Sequence, residues 1–352
     1  MTTDDDFDSA TLTRLRRNLR KWYVDKARDL PWRRTGNPYH IWISEVMLQQ
    51  TTVAAVVPYF ERFLNRFPTI HELAAAEQDE VLRHWEGLGY YSRARNIHKT
   101  AKLVSTDFDG QFPGTVAELL TLPGIGRYTA GAIVSFAFNR PAPIVEANTL
   151  RLYCRLLNYD GDPRSTAGQK VLWKFAEHLV PRKEPAQFNN ALMELGALVC
   201  TPDVPACDKC PVRSCCRAFA DGKQSDVPVL ARRQKVTAVI EASVAVQHDG
   251  RFLLRQNPSG QRWADMWDFV RFELPEATSL IPEKGFQDRQ RLPAALLEQL
   301  ERSVAEHSGH AVRIDEFVTE IRHSVTRFRI RLQCVRATLL ATDAADSRPF
   351  CW

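Results

Sequence analysis

The sequence predicts two folded domains of different class: an all-α domain over residues 1–220 and an α+β domain over residues 236–352, joined by a polar connector over residues 221–235. Apolar residues recur with helical spacing through most of the first domain, whereas VTAVIEASVAVQHDGRFLLRQN at the start of the second has the pattern of a β-hairpin. The connector contains KQSDVP and ARRQK. With 352 residues, 44% of them hydrophobic, the chain is long enough to bury a core in each domain.

The net charge and the N-terminus restrict the class of protein. A formal charge of +5 and a pI near 8.8 are compatible with a polyanionic partner, although so small an excess does not identify nucleic acid. The first residues, MTTDDDFDSA, lack the basic and apolar regions of a secretion signal, and no apolar run approaches the ~20 residues that cross a bilayer. We therefore expect a cytoplasmic globular protein that does not bind membranes.

A glycine-containing turn between two helices lies at the centre of the first domain. Residues Ala117 to Leu122 and Tyr128 to Phe138 have helical spacing, and LPGIG joins them into a helix-hairpin-helix. Gly124 and Gly126 allow a tight turn that approaches a ligand closely, and the following helix presents unpaired N–H groups. Such a turn can hold a DNA phosphate. On the motif alone, an ordinary glycine turn between packed helices is an equally good explanation.

Two helical segments precede this turn. Leu12 to Ala27 is a basic amphipathic helix, whose charges we interpret as a solvated face rather than as DNA contacts. Tyr39 to Phe67 contains two helices separated near Gln49 to Thr52, with Glu45 among apolar neighbours in the first. A carboxyl group in such surroundings is a candidate proton donor, because desolvation favours its neutral form. Without family context, a solvated Glu45 on an outer face is the more common case.

The sequence GLGYY, from Gly87 to Tyr91, forms a junction between helices, with Arg93 and Arg95 just beyond it. Such a junction is suited to a DNA minor groove, where Tyr90 would act as a stacking or wedge group. Aromatic pairs are more often part of a core, and that alternative stays open.

Further helices over Val171 to Leu179 and Asn189 to Val199 lead into a run of cysteines. The spacing C-x6-C-x2-C-x5-C provides four soft ligands, Cys200, Cys207, Cys210 and Cys216. Such crowding favours metal ligation over disulfides, and on chemistry alone either a [4Fe–4S] cluster or zinc is suitable. The other cysteines, Cys154, Cys215, Cys334 and Cys351, are expected to take no part.

The second domain combines strands with a helix. A β-hairpin is predicted around His248-Asp249-Gly250, a helix near Leu292 to His307, and strands near Val312 to Glu320 and Phe328 to Leu340.

Four motifs together resemble the MutY-type adenine DNA glycosylases, which belong with endonuclease III to the helix-hairpin-helix, iron-sulfur superfamily. They are SEVMLQQTTV at Ser44 to Val53, EGLGYYSRARN at Glu86 to Asn96, LPGIGRYTAGAI at Leu122 to Ile133, and MELGALVC at Met193 to Cys200 with the cysteines that follow. They cover most of residues 30–216. The resemblance implies a helical glycosylase domain that carries a [4Fe–4S] cluster, followed by a Nudix-like α+β domain.

The resemblance also implies roles for individual residues. Glu45 would protonate adenine N7, Glu146 would be the carboxylate facing the sugar, and Tyr128 and Asn148 would complete the active site. An N-glycosidic bond breaks through an oxocarbenium-like sugar, so a neutral acid and a carboxylate must both reach a flipped nucleotide. The implied contacts to the flipped base or the DNA are Gln50 and Tyr90 as wedge residues, with Trp32, Arg33, Thr51 and Glu194.

Two segments depart from the family pattern. Glu146-Ala147-Asn148 replaces Asp-Gly-Asn, which keeps the charge but adds one methylene. Val325-Thr326-Arg327 replaces Phe-Ser-His in the second domain, and we expect Thr326 to contact the oxidised base and Arg327 to donate to a phosphate or a base edge. This domain lacks the acidic helix that holds magnesium in Nudix hydrolases. We interpret it as a binding module, with a purely stabilising domain as the alternative.

The prediction is a monofunctional glycosylase of base excision repair that removes adenine paired with 8-oxoguanine or guanine. Its expected partner is double-stranded DNA containing 8-oxoguanine opposite adenine, and we expect a monomer. One alternative is an endonuclease III-like glycosylase/lyase for oxidised pyrimidines, which needs a lysine where this chain has Tyr128. Another is a damage-binding protein that has lost catalysis, which Glu146 and the altered loop suggest.

Overall fold

The computed structural model describes residues 7–229, 236–258, 263, 266–275, 278, 280, 292–325, 327–342 and 350–352. The chain divides into two compact units, Met1–Ala231 and Arg232–Trp352. The first is helical and the second contains β-sheet, as the sequence predicted. Within the described residues, none of the helices combines the length and the apolar character that crossing a membrane requires.

The helices of the first unit include the predicted segments, some with ends displaced by up to five residues, and others that the sequence analysis did not identify. They are α1 (Ser9–Lys26), α2 (Pro38–Met47), α3 (Val53–Arg66), α4 (Ile70–Ala75), α5 (Gln78–Trp85), α6 (Ser92–Asp107), α7 (Val116–Leu119), α8 (Arg127–Phe136), α9 (Ala147–Leu157), α10 (Thr166–Leu179), α11 (Pro185–Leu198) and α12 (Arg217–Ala220), with short 3-10 helices at Pro31–Arg33, Cys207–Lys209 and Arg213–Cys215. Local sequence accounts for several starts: the side chains of Asp8, Thr52 and Ser165 each accept a hydrogen bond from a first-turn N–H.

Two hydrophobic clusters fill the helical unit. One lies among α2 to α8 and includes Trp42, Phe63 and Trp85. The other joins α1 to α9, α10 and α11 and includes Leu15 and Tyr153. Helix α8 contacts both α2 and α11. Side chains at the start of α8 can therefore meet groups from both clusters.

Residues 221–229, which the sequence placed in the connector, pack within the helical unit. Asn158 Nδ2 donates to Asp221 Oδ2 at 2.7 Å, and Arg155 Nε donates to the carbonyl oxygen of Val227 at 3.1 Å. The side chain of Val227 is buried. The helical unit thus continues past residue 220, because a buried arginine of α9 binds this segment.

The second unit contains β1 (Thr237–His248), β2 (Arg251–Phe252), β3 (Leu254–Gln256), β4 (Trp267–Asp268), β5 (Val270–Leu274), α13 (Ala294–Ser308), β6 (His310–Val325), β7 (Phe328–Thr342) and β8 (Phe350–Cys351). One sheet has the order β2-β1-β7-β6, with β5 also pairing with β1, and β4-β3-β8 forms a smaller sheet. Strands β1 and β7 are parallel. The predicted hairpin is present, and its turn residues Asp249 and Gly250 both have positive φ, as a type I′ turn requires.

Candidate active site

Glu45 lies inside the helical unit, with 4% of its surface exposed. Its neighbours on α2, including Ile43, Val46 and Met47, are buried as well. The helix therefore has no solvated face there on which a carboxylate could lie. The interpretation of Glu45 as a solvated side chain, which the residues alone favoured, is wrong.

Tyr128 contacts this carboxyl group directly. Its hydroxyl donates a hydrogen bond to Glu45 Oε2 at 2.5 Å and lies 3.6 Å from Met193 Sδ on α11. Tyr128 is the second residue of α8, which begins directly after the hairpin turn at Gly126. The turn thereby brings together two predicted site residues that are 83 positions apart in the chain.

Burial raises the pKa of the Glu45 carboxyl to about 7, because an apolar environment disfavours the ionised form. The hydrogen bond from Tyr128 lowers this pKa, since it stabilises the carboxylate. The negative charge of Glu146 raises it, and the positive charge of Arg33 lowers it. Near neutral pH, a substantial fraction of Glu45 carries the proton that a general acid needs.

Glu146 caps the N-terminus of α9 with its own carboxylate. The N–H of Asn148 lies 2.9 Å from both Oε1 and Oε2, and the N–H of Thr149 donates to Oε1 at 2.8 Å. Thr149 Oγ1 in turn accepts from the N–H of Glu146 at 2.9 Å, which completes a reciprocal cap. The Glu146 side chain thus folds back onto the first turn of its own helix.

Two opposing influences act on the ionisation of Glu146. Burial raises its pKa, while the N–H groups of Asn148 and Thr149 and the charge of Arg151 lower it. The positive end of the α9 dipole also favours a carboxylate at this position. Burial is the largest influence on both carboxyl groups, so the pKa of Glu146 is raised, as is that of Glu45.

Asn148 is held by a residue that the sequence analysis missed. Arg151 Nη2 donates to Asn148 Oδ1 at 2.9 Å and to the carbonyl oxygen of Gly196 at 2.7 Å. Its Nε donates to the carbonyl oxygen of Cys200 at 2.7 Å. Arg151 is buried, and it connects the start of α9 to the cysteine segment. The spacing of three residues between Asn148 and Arg151 on one helix is the signal that could have identified it.

Arg33 and Arg28, both partly exposed, form one ion-pair group around the buried Glu194. Arg33 Nη2 and Arg28 Nε each lie 2.7 Å from an oxygen of Glu194, whose side chain is fully buried. Burial alone would raise the pKa of Glu194, but the two arginines outweigh it and lower the pKa to about 2. Trp32, which lies between Arg28 and Arg33 in the sequence, packs its ring against Phe60 in the first hydrophobic cluster. These contacts fix the 3-10 segment whose Arg33 charge acts on Glu45.

The two hairpin glycines differ in whether their positions could hold a residue with a Cβ. Gly124 has φ +75°, and a Cβ there would lie 2.7 Å from the Cβ of Asn96, so the position needs glycine. Gly126 has open space around it and is the N-cap of α8, where no side chain bonds to the first-turn N–H groups. An uncapped helix N-terminus of this kind favours an anion.

Gln50 and Tyr90 lie in two turns and share an unusual backbone. Both have positive φ, +59° and +50°, although neither is glycine. Gln50 is exposed, and 42% of Tyr90 is exposed, so Tyr90 is not the core residue that its aromatic neighbour suggested. Thr51 accepts a hydrogen bond from Arg93 at 3.5 Å. Arg93 itself is buried, so its guanidinium does not form an exposed cation beside Tyr90.

The four cysteines expected to ligate a cluster line one cavity. Arg155 Nη1 donates to Cys200 Sγ at 3.3 Å, whereas Cys215 Sγ lies 3.9 Å from Ser214 Oγ. Burial raises the pKa of Cys210 to about 12 and of Cys216 to about 11, so these thiols need a cation to become thiolates. Soft sulfur donors around one cavity fit an iron-sulfur cluster. Among the residues that the structure describes, no three His, Cys, Asp or Glu side chains are grouped to hold a single metal ion.

The loop expected to recognise the oxidised base connects β6 and β7. Thr326 lies outside the described residues. Val325 pairs with Phe328 across the hairpin, and Arg327 is exposed with its guanidinium 5.1 Å from the centre of the Phe328 ring. Arg322, Arg329 and Arg331 line a pocket near this end of the hairpin.

Comparison with known proteins gives a consistent result. Residues 43–178 match the family described as HhH-GPD superfamily base excision DNA repair protein. The adenine DNA glycosylase of Mus musculus is 43% identical over 238 residues, which cover 65% of this chain and 46% of that protein. The adenine DNA glycosylase of Buchnera aphidicola subsp. Schizaphis graminum is 36% identical over 253 residues, which cover 72% of this chain and 73% of that protein.

A solved structure of a thermostable thymine-DNA glycosylase is similar to the helical unit. It has a TM-score of 0.56 and 28% sequence identity, and it covers 61% of this chain and all of its own length. This chain spans less than half the length of the mammalian relatives that it matches.

Proposed function

We propose that this chain, which belongs to the adenine DNA glycosylase family, removes adenine from duplex DNA by hydrolysing the bond between the base and its deoxyribose. The observation that carries this proposal is the buried Glu45 carboxyl, which Tyr128 contacts at 2.5 Å and whose pKa is about 7. An acid with a pKa near neutrality both holds a proton and releases it readily at physiological pH.

The two carboxyl groups take different parts in the reaction. Neutral Glu45 donates its proton to the departing adenine while the C–N bond breaks. Glu146, whose ionised form accepts hydrogen bonds from the N–H groups of Asn148 and Thr149, stabilises as a carboxylate the positive charge that develops on the sugar. Water then adds to the sugar cation and loses a proton. The products are free adenine and an abasic site.

The hairpin and the two turns supply the contacts to DNA. The uncapped N-terminus of α8 after Gly126 binds a backbone phosphate. Because α8 also carries Tyr128, this contact positions the DNA relative to Tyr128 and Glu45. Exposed Gln50 and Tyr90 open the duplex so that the adenine can reach Glu45, since chemistry on a base requires its extrusion from the stack.

The cysteine cavity supports a [4Fe–4S] cluster on Cys200, Cys207, Cys210 and Cys216. The four thiols line one space, and each could ligate one iron of such a cluster. When bound, such a cluster would constrain the segment through the four thiolates. Arg151 and Arg155 on α9 would transmit that shape to the start of α9, because they contact Cys200 through its carbonyl oxygen and its sulfur.

The second unit recognises 8-oxoguanine opposite the adenine. Exposed Arg327 and Arg329 near the β6–β7 hairpin support this part of the proposal, since guanidinium groups suit phosphates and the O6 acceptor of a guanine, whereas Arg322 and Arg331 pair with Glu320. Thr326 and Arg327 are the residues proposed for the base. If alanine at both positions left affinity and its salt dependence unchanged, this loop assignment would be wrong.

An assay on defined duplexes tests the function and its rivals. The purified protein is incubated with DNA containing 8-oxoguanine opposite adenine, and both free adenine and strand scission are measured. Adenine release without scission is expected, and Glu45→Gln should slow it by ~10²–10⁴-fold. Nicking of DNA that contains an oxidised pyrimidine would instead indicate a glycosylase/lyase, although the Tyr128 hydroxyl cannot form a Schiff base. Tight binding without release would indicate a damage-binding protein.

A further inference from the structure

Arg93 joins the two turns that carry Gln50 and Tyr90. It lies in the first turn of α6 with 8% of its surface exposed, and both ends of its guanidinium are occupied. Nη1 donates to the carbonyl oxygens of Val46, Met47 and Gln49 at 2.9, 2.9 and 2.6 Å. Nη2 donates to the carbonyl oxygens of Leu88 and Gly89, both at 3.1 Å, and lies 3.5 Å from Thr51 Oγ1. One side chain thus binds the turn after α2 and the turn before α6.

Two of the carbonyl groups that accept from Arg93 directly precede Gln50 and Tyr90, the two residues with positive φ. The Gln49 carbonyl belongs to the peptide unit that leads into Gln50, and the Gly89 carbonyl belongs to the unit that leads into Tyr90. Positive φ is unfavourable for a residue with a Cβ, which then lies too close to the following carbonyl oxygen. Such residues persist where their surroundings hold the backbone in place. Arg93 holds the peptide unit before each of them.

An arginine suits this position for chemical reasons. Helix α2 ends at Met47, so the carbonyl groups of its last turn lack partners within the helix and form the negative end of its dipole. The planar guanidinium presents separate edges to the two turns, which an ammonium group cannot do. It also lies 5.2 Å from the centre of the Trp85 ring and 5.5 Å from the centre of the Tyr90 ring. The cation therefore contacts one of the exposed side chains directly.

We infer that Arg93 is a positioning residue that sets the distance and orientation between Gln50 and Tyr90, so that both side chains enter the DNA as one rigid unit. This inference rests on the proposed function, because it requires that a base be extruded from a duplex. The hydrogen bonds of Arg93 go to these two turns and not to Glu45, Tyr128 or Glu146. Its loss should therefore slow base extrusion much more than bond cleavage.

The experiment compares single-turnover adenine release from two duplexes. The first contains one adenine opposite 8-oxoguanine in otherwise paired DNA. The second has the same mispair flanked on both sides by mismatched pairs, which reduces the unpairing and unstacking needed to extrude the base. Arg93→Lys should slow release from the first duplex by ~10-fold or more, yet stay within ~3-fold of the unaltered protein on the second, because only the first depends fully on the wedge.

A control variant, Arg66→Lys, and a second test variant, Gly89→Ala, are measured alongside Arg93→Lys. Arg66→Lys changes an exposed arginine that pairs with Glu80, and it should leave both rates unchanged. Gly89→Ala strains the second turn, because Gly89 has φ +69°, but its added Cβ would meet nothing within 4 Å. It should reproduce the selective loss even if Arg93→Lys folds poorly.

Equal slowing on both duplexes, or no slowing on either, would overturn the positioning role of Arg93. If Arg93→Lys does not fold, either of these outcomes for Gly89→Ala would overturn that role. Failure of the unaltered protein to release adenine from either duplex would instead contradict the proposed function.

Discussion

The hydroxyl of Tyr128 lies 2.5 Å from Oε2 of Glu45, so the acid proposed for catalysis is subject to two opposing influences. Burial favours the neutral carboxyl group, and the donated hydrogen bond favours the carboxylate. Burial dominates, and the resulting pKa of about 7 lies near physiological pH. Small changes around this pair should therefore move the pH dependence of the reaction in a predictable direction.

The rate of adenine release should fall as pH rises through about 7, the pKa of Glu45, because the neutral carboxyl group is the active form and is lost above that pH. A single-turnover pH–rate profile on DNA containing 8-oxoguanine opposite adenine measures this. Glu45→Gln should lower the rate by ~10²–10⁴-fold, the usual contribution of a general acid. A rate that increases across the same pH range would contradict the assignment of Glu45 as the acid.

Tyr128→Phe should move the midpoint of that profile to higher pH. The hydrogen bond from Tyr128 lowers the pKa of Glu45, whereas burial and the Glu146 charge raise it. Removal of the hydrogen bond should therefore raise this pKa. The variant should keep the aromatic packing, because only an oxygen atom is removed. The profile is measured on the same duplex. A midpoint that stays in place or moves to lower pH would show that the phenol does not govern the ionisation of Glu45.

Glu146→Gln should abolish single-turnover adenine release while leaving binding of the mispair nearly intact, because the charge matters most when the sugar becomes cationic. Glu146→Ala also removes the cap on α9. The free energy of unfolding of this variant should be ~0.5–2 kcal/mol lower than that of Glu146→Gln. Denaturant unfolding and a binding titration separate the two effects. Near-normal release by Glu146→Gln would mean that another residue supplies the negative charge.

The purified protein should be brown and absorb near ~400 nm, as thiolate-bound iron does. Replacement of Cys210 by Ser should remove this absorbance, whereas Cys215→Ser should retain it, because Cys210 lines the cavity and Cys215 does not belong to the predicted ligand set. Iron and sulfide analysis accompanies the spectrum. A colourless protein with stoichiometric zinc, made anaerobically with ample iron, would exclude the cluster.

A chain that ends at Ala231 should keep some adenine excision but lose preference for 8-oxoguanine over guanine opposite the adenine. All proposed catalytic groups precede that point, and the retained segment keeps Val227 in contact with Arg155. Excision rates on the two mispairs measure the preference. An unchanged ratio would reduce the second unit to a stabilising role. Truncation at 220 should be less stable, because it removes the buried Val227.

The elements of the fold were largely predictable because their signals are local. The break between α2 and α3 follows from Thr52 as a helix cap, and the β1–β2 hairpin follows from Asp249-Gly250. The same holds for the hairpin turn at Gly124, where only glycine fits. The contact that holds Val227 to the helical unit was not predictable from local signals, since it comes from Arg155, 72 residues earlier in the chain.

The sequence by itself determined which chemical groups this protein has: a Glu in an apolar helix, a Tyr after the hairpin, a carboxylate before α9 and four cysteines in a short run. Only the tertiary structure decided that Glu45 is buried against Tyr128, that Glu146 folds back onto its own helix, and that Arg93 binds two turns at once. The reason is physical. A residue's identity fixes its charge and its hydrogen-bonding groups, whereas burial, pKa and backbone strain depend on the segments packed around it.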